Sequence, residues 1–225
     1  FLMGFTSIQG QITEMIIYET GGNTVTYQIA NIDSIVYDTT AIATCPATFT
    51  DARDNEVYAV VQIGNQCWMA ENLRYNASGS YLNSANPSTT YGRLYDWATV
   101  MNGATTSSSN PSGVQGICPS GWHLPSDAEW NELEMALGMP AVVAANTLWR
   151  GTDHGDKMRS AIEWSSMSGL SGNGNNASRF NAFPAGFYYT DTGIFGTLGV
   201  KTMFWSSTED SPTHAWGRYL HRVLG

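Results

Sequence analysis

The sequence predicts an irregular α+β domain, with two or three helices among many short antiparallel strands, preceded by a small β module. Three observations carry that prediction. Short runs rich in β-branched and aromatic residues recur between glycine turns, and glycine occurs 23 times in 225 residues. Helical spacing of apolar residues is confined to a few stretches. No tandem repeat, heptad or long low-complexity tract organises the remainder. Hydrophobic residues at 42% are enough to fill a core, whereas charged residues at 13% fall well below the usual quarter.

Phe1 to Gly10 is apolar, then small and polar, and reads either as the end of a secretory signal or as a buried first strand. No cysteine follows it to carry a lipid anchor. Residues 11–40 form the small β module. Met15 to Tyr18 and Thr24 to Ile29 flank Gly21-Gly22-Asn23 as a hairpin, and Ile32 to Tyr37 offers a third strand. So small a sheet hardly stands alone, so the module is expected to pack on the main domain or on another subunit. Asp38 to Thr44 is a linker of small residues.

The main domain spans 45–225. It opens on a strand, Val57 to Gly64, and a short helix, Met69 to Leu73. Leu94, Trp97, Ala98 and Met101 are spaced i, i+3, i+4, i+7, which predicts an amphipathic helix stopped by Asn102-Gly103. Thr105 to Gly113 is a surface loop. In Ser126-Asp127-Ala128-Glu129 the serine can cap a helix while the glutamate reaches back to the serine amide. Trp130, Leu133 and Leu137 give that helix its buried stripe, and Gly138 with Pro140 ends it. Ser165 to Arg179 is too polar for core. Phe187 to Tyr189, Ile194-Phe195 and Met203 to Trp205 read as short antiparallel strands. Tyr219 to Gly225 reads as a strand arriving at a turn, so the domain is expected to lack its last strand or to take one from a neighbour.

Charge narrows the function. Ten Lys and Arg against nineteen Asp and Glu give −9, which argues against nucleic acid and against anionic lipid. No apolar run approaches the roughly 20 residues of a membrane span. Cys45, Cys67 and Cys118 form no Cys-x-x-Cys pair and have no His cluster, so a structural zinc site is not expected.

Five segments in order resemble one family. They are Ile63 to Leu73 (IGNQCWMAENL), Tyr91 to Trp97 (YGRLYDW), Cys118 to Asp127 (CPSGWHLPSD), Phe183 to Gly186 (FPAG) and Phe204 to Glu209 (FWSSTE). Together they are similar to the Fibrobacter succinogenes major paralogous domain, found in secreted and surface proteins of Bacteroidetes and Fibrobacteres. The likeness covers Cys45 to about Leu220, and residues 14–37 resemble the β-hairpin module that often precedes it. The resemblance implies a C-type-lectin-like fold, akin to formylglycine-generating enzymes and retroelement-diversified binding proteins. It also implies a further strand carrying a cysteine for Cys118, which this sequence does not show. Cys45 and Cys67 can still pair with each other, a crosslink of about 2–4 kcal/mol.

Chemistry can then be weighed. A formylglycine-generating site needs a reactive cysteine pair in the C-terminal half, and no cysteine lies beyond Cys118. Catalysis is therefore not expected. Asp153-His154-Gly155-Asp156 could be a base with an orienting carboxylate or simply a polar loop. His123, between Trp122 and Leu124, reads as a satisfied core histidine. Lectin calcium chemistry lacks its residues: Asn86-Pro87-Ser88 has no carboxylate, and Trp205-Ser206-Ser207 has no chelating pair. Asp51, Asp54 and Glu56 are weak calcium candidates near a turn. No other cofactor is implied. Glu209 to His214 reads as a polar loop between aromatic runs, with Trp205 in the core. Glu209, Asp210, His214, Arg218, Tyr219 and His221 are expected to point outwards and bind a glycan or a surface protein. The resulting expectation is a secreted or cell-surface, non-catalytic binding or adhesion domain. The alternative is a structural subunit of an extracellular filament that self-assembles by strand pairing.

Overall fold

A computed structural model of the chain describes residues 3–8, 11–18, 24–28, 44–84 and 89–223. The chain divides into two units, 1–43 and 44–225. In the first, β1 (Met3–Ile8), β2 (Gln11–Tyr18) and β3 (Thr24–Gln28) form an antiparallel sheet in that order. Phe5 lies opposite Met15, and Tyr18 opposite Thr24. Thus Met3 to Ile8 is a strand on β2. The Ile32 to Tyr37 strand lies outside the described residues.

The second unit is α+β, with four helices and small antiparallel sheets among its described residues. It begins with a meander of β4 (Thr48–Thr50), β5 (Val57–Ile63) and β6 (Gln66–Met69), the last two joined across Gly64-Asn65. The expected Met69–Leu73 helix is absent. Val60 pairs with Met69, and the Ala70 amide donates to the Ala59 carbonyl at 2.9 Å, so the backbone groups a helix would need are held by β5. Two apolar residues four apart over five positions do not outweigh a strand partner already in place.

Next come β7 (Ser80–Tyr81) and β8 (Leu94–Tyr95), paired with each other, then α1 (Trp97–Met101). The amphipathic spacing therefore splits between a strand and a helix. The break falls at Asp96, whose carboxylate accepts from the Thr99 amide at 2.7 Å and starts α1. Asn102, in the left-handed region, closes it. The main helix, α2 (Asp127–Ala136), carries the predicted capping box, and Ser126 is wholly buried beneath it. Two short helices follow, α3 (Ala141–Ala144) and α4 (His154–Met158). The C-terminal part holds two hairpins, β9 (Phe187–Tyr189) with β10 (Ile194–Gly196) and β11 (Lys201–Ser211) with β12 (His214–His221).

Two apolar clusters hold this unit. One gathers Ile63, Trp130, Leu133, Met158, Trp164, Phe180 and Leu220, the other Val100, Met101, Val114, Ile117 and Leu124. Burying each such side chain contributes roughly 1.5–3 kcal/mol. Trp205 packs against the second cluster, as expected for a core residue. The 165–179 segment is largely exposed and is tied down by polar contacts instead. Asn173 Oδ1 accepts from the Trp164 amide at 3.0 Å, and the Ser178 amide donates to the Lys157 carbonyl at 3.1 Å. Cys45 and Cys67 are joined in a disulfide, with Cα atoms 5.6 Å apart.

Candidate functional site

The second unit carries an open cleft of about 1020 Å³, contributed by β6, the 71–73 segment, β8, the 117–125 loop, α2, β9 and β11. Such a volume is that of a small-molecule or oligomer site. A second depression, about 480 Å³ between residues 101–107 and 112–116, has no titratable side chain in its lining.

Aromatic rings dominate the cleft. Trp68 on β6 meets Trp130 on α2 at 4.7 Å between ring centres, and Phe204 on β11 lies 5.7 Å from Trp130. Tyr81 of β7 stacks on Tyr188 of β9 at 4.0 Å. The indole N–H groups are largely consumed inside the fold. Trp68 donates to Gln66 Oε1, Trp97 to the Ser206 carbonyl, Trp130 to the Trp205 carbonyl and Trp205 to the Tyr95 carbonyl. Trp130 is buried, so the tryptophan surface left to the cleft is the ring carbon of the half-buried Trp68, Trp97 and Trp205.

Polar groups are interleaved with the rings. His123 Nε2 lies 2.6 Å from Glu129 Oε1, and Glu129 Oε2 accepts from the amides of Ser126 and Ser112. The Glu129 hydrogen bond raises the His123 imidazolium above its ordinary range, with burial opposing. Burial pushes the Glu129 carboxyl up, but His123 and the two amides together outweigh it and hold it low. His123 is thus partnered but not core: its side chain is 38% exposed at the cleft. Glu132 accepts from the side-chain amides of Gln66 and Asn110. Arg93 is placed by Gly92, whose φ of +66° suits glycine and whose added Cβ would lie 2.9 Å from the Leu73 carbonyl oxygen. That close approach lets the Arg93 amide donate to the Leu73 carbonyl at 2.9 Å. Cys118 also borders the cleft as a free thiol, and burial pushes it up to about 12, so it stays protonated.

None of the six residues expected to bind lines this cleft. The expected loop is the end of a hairpin: β11 runs to Ser211, β12 starts at His214, and only Pro212 and Thr213 turn. Glu209, Asp210, His214 and Tyr219 are exposed, and Tyr219 leans on Phe187 at 5.7 Å. Arg218 is the clear correction. It is buried, donating to Glu134 at 2.9 Å, Asp127 at 2.5 Å and Asn131 at 2.8 Å. Side chains alternate along a strand, so Arg218 and Leu220 face α2 and the core while Tyr219 faces out. His221 is half-buried against Trp149, and burial lowers its imidazole.

The calcium candidates serve other partners. Asp51 is buried and bound by Arg53, whose side-chain hydrogen bonds hold its carboxyl low, while Glu56 pairs with Arg74 at 2.8 Å. Asp54 Oδ1 accepts from the Glu56 amide. Among the described residues no group of three His, Cys, Asp or Glu could hold a metal ion. In the 153–156 segment, His154 is buried and Nδ1 lies 3.3 Å from the Thr152 amide, while Asp153 pairs with Lys157 and Asp156 with Arg159. Ser206 and Ser207, the pair after Trp205 weighed for lectin chemistry, are wholly buried, and Asn86-Pro87-Ser88 lies outside the described residues.

The fold and site define a disulfide-bearing α+β domain with an open, aromatic-lined cleft. The chain belongs to the Fibrobacter succinogenes major domain family (Fib_succ_major), whose model matches residues 61–224. No curated protein and no solved structure matches it. No helix among the described residues is long and apolar enough to cross a membrane. All five sequence segments that carry the family resemblance contribute lining residues to the cleft, among them Trp68, Arg93, His123, Ala185 and Phe204. The sequence places Trp205 of these segments in the core and does not by itself connect the five. Their joint appearance as one ordered set was the signal for a shared site.

Proposed function

We propose that this protein is a secreted or cell-surface, non-catalytic binding domain that holds a glycan or a protein segment in the aromatic cleft. The observation that carries the reading is the convergence of five separated sequence segments on one cleft lined by aromatic side chains. A disulfide favours an oxidising compartment and hence export. The non-catalytic reading is supported by the state of the ionisable groups at the cleft. The Cys118 thiol is kept protonated, and His123 and Glu129 are committed to each other and to the backbone. A glycan array followed by calorimetry tests it. A bound ligand should be lost with Tyr188→Ala or Trp97→Ala and kept with Glu209→Ala or His214→Ala. The reverse pattern would move recognition to the hairpin tip and remove the cleft from the account.

A second reading, a subunit of a filament, draws on the N-terminal sheet: among the described residues β1 and β3 each pair on one side only. A monomeric mass across a wide concentration range would exclude it.

A further inference from the structure

We propose that the ligand of the cleft is an acidic oligosaccharide, a sugar chain carrying uronic-acid carboxylates, and that Arg93 receives the carboxylate. The inference rests on the cleft reading above and adds the charge and class of the ligand.

The argument starts from the cations. Acidic residues outnumber Lys and Arg by 19 to 10, so a guanidinium has many carboxylates within the chain to meet. Arg53, Arg74, Arg150, Arg159 and Arg218 each do so. Arg93, Arg179 and Arg222 have no ion pair among the described residues, and of these three Arg93 alone lines the cleft. Residues 85–88, which precede Arg93 in the sequence, are Ala-Asn-Pro-Ser and include no carboxylate. Instead Arg93 Nε donates to Ser80 Oγ at 2.7 Å and one terminal nitrogen to the Ser80 carbonyl at 3.2 Å. Those bonds fix the plane of the head and leave Nη1 without a hydrogen bond among the described residues. A guanidinium so oriented, half-buried beside aromatic rings, is matched in shape and charge by a planar carboxylate.

The other lining charges do not compete for it. Glu71 pairs with Arg74, Asp96 caps α1, Glu129 holds His123, and Glu132 accepts from the Gln66 and Asn110 side-chain amides. Aromatic carbon and free phenol hydroxyls favour a sugar. The C–H face of a pyranose stacks on aromatic carbon, and the Tyr81 and Tyr188 hydroxyls, which make no hydrogen bond among the described residues, suit sugar hydroxyls.

Calorimetry on the full chain tests this with oligosaccharides of galacturonate, glucuronate and mannuronate, their methyl esters, and neutral and amino-sugar chains of equal length. At least one acidic oligomer should bind about tenfold more tightly than its own ester, the worth of one charge-assisted contact. Added salt should shrink that gap. In Arg93→Gln, which keeps a donor for Ser80, the advantage of the acid over its ester should disappear. The comparison of acid with ester on the unaltered protein stands even if the variant folds poorly. Equal binding of acid and ester leaves the cleft reading intact and overturns this inference. A preference for amino sugars does the same and places recognition at Glu132. Silence across the whole panel overturns this inference, while the cleft reading is decided separately by the array and the Tyr188 and Trp97 variants.

Discussion

His123 and Glu129 show how one residue can serve a helix end and a cleft at once. Glu129 is the reciprocal member of the capping box, yet its second oxygen reaches His123. Their titrations shift in opposite directions, which fixes the pH behaviour. The folded Glu129 carboxyl sits below its usual 4.5, so its contribution to stability is full above that value and fades as pH falls through the folded one. The folded His123 sits above its usual 6.5, so its contribution is full below 6.5 and fades as pH rises through the folded value. Both are present together between about pH 4.5 and 6.5. His123→Gln should therefore lower the Tm most in that window and converge with the parent protein in alkaline buffer. A gap that stays constant with pH would mean the histidine acts through packing alone. Sequence marked His123 as satisfied, which it is, but its neighbours Trp122 and Leu124 gave no sign that the ring stands at the edge of a cleft.

At the scale of elements, α2 and β12 are locked by ions and not only by apolar contact. Arg218 reaches from the strand to Asp127, Asn131 and Glu134, one face of the helix, and Arg150 braces Glu134 from another side. Removing a buried partner leaves carboxylates stranded in a poorly solvated site, so Arg218→Ala should cost about 3–5 kcal/mol in urea unfolding. Tyr219→Ala, one position on and half exposed, should stay within about 0.5–1 kcal/mol, as surface changes do. Equal losses would mean the alternation of β12 does not govern its energetics. The two elements also differ in how legible they were. The start of α2 is written in four contiguous residues, Ser126 to Glu129. The faces of β12 depend on knowing that residues 214–221 are a strand, and Pro212 with the polar residues around it resembled a loop. In the same way Met69 to Leu73 resembled a helix because its pairing with β5, itself legible as a strand, forms only once the chain folds back.

For the molecule as a whole, the sequence indicated the fold class and the family, while the cleft was hidden because it draws on residues from Pro46 to Trp205 that no local pattern connects. Its integrity then depends on how the separate segments are held. The disulfide is one such tie: it spans 22 positions, joins the start of the second unit to β6, and Cys67 itself lies on the cleft. Since β5 already hydrogen-bonds both β4 and β6, the crosslink is not needed to define the meander in the folded state. Its main action is on the unfolded chain, which loses the freedom of that loop. Replacing both cysteines by alanine should thus lower stability by about 3 kcal/mol. Affinity for a cleft ligand, measured well below the unfolding temperature, should be unchanged. Calorimetry and denaturant titration on the same variant separate the two quantities. If affinity falls with stability, the strand pairing alone does not hold the cleft in shape, and the disulfide is part of the binding architecture.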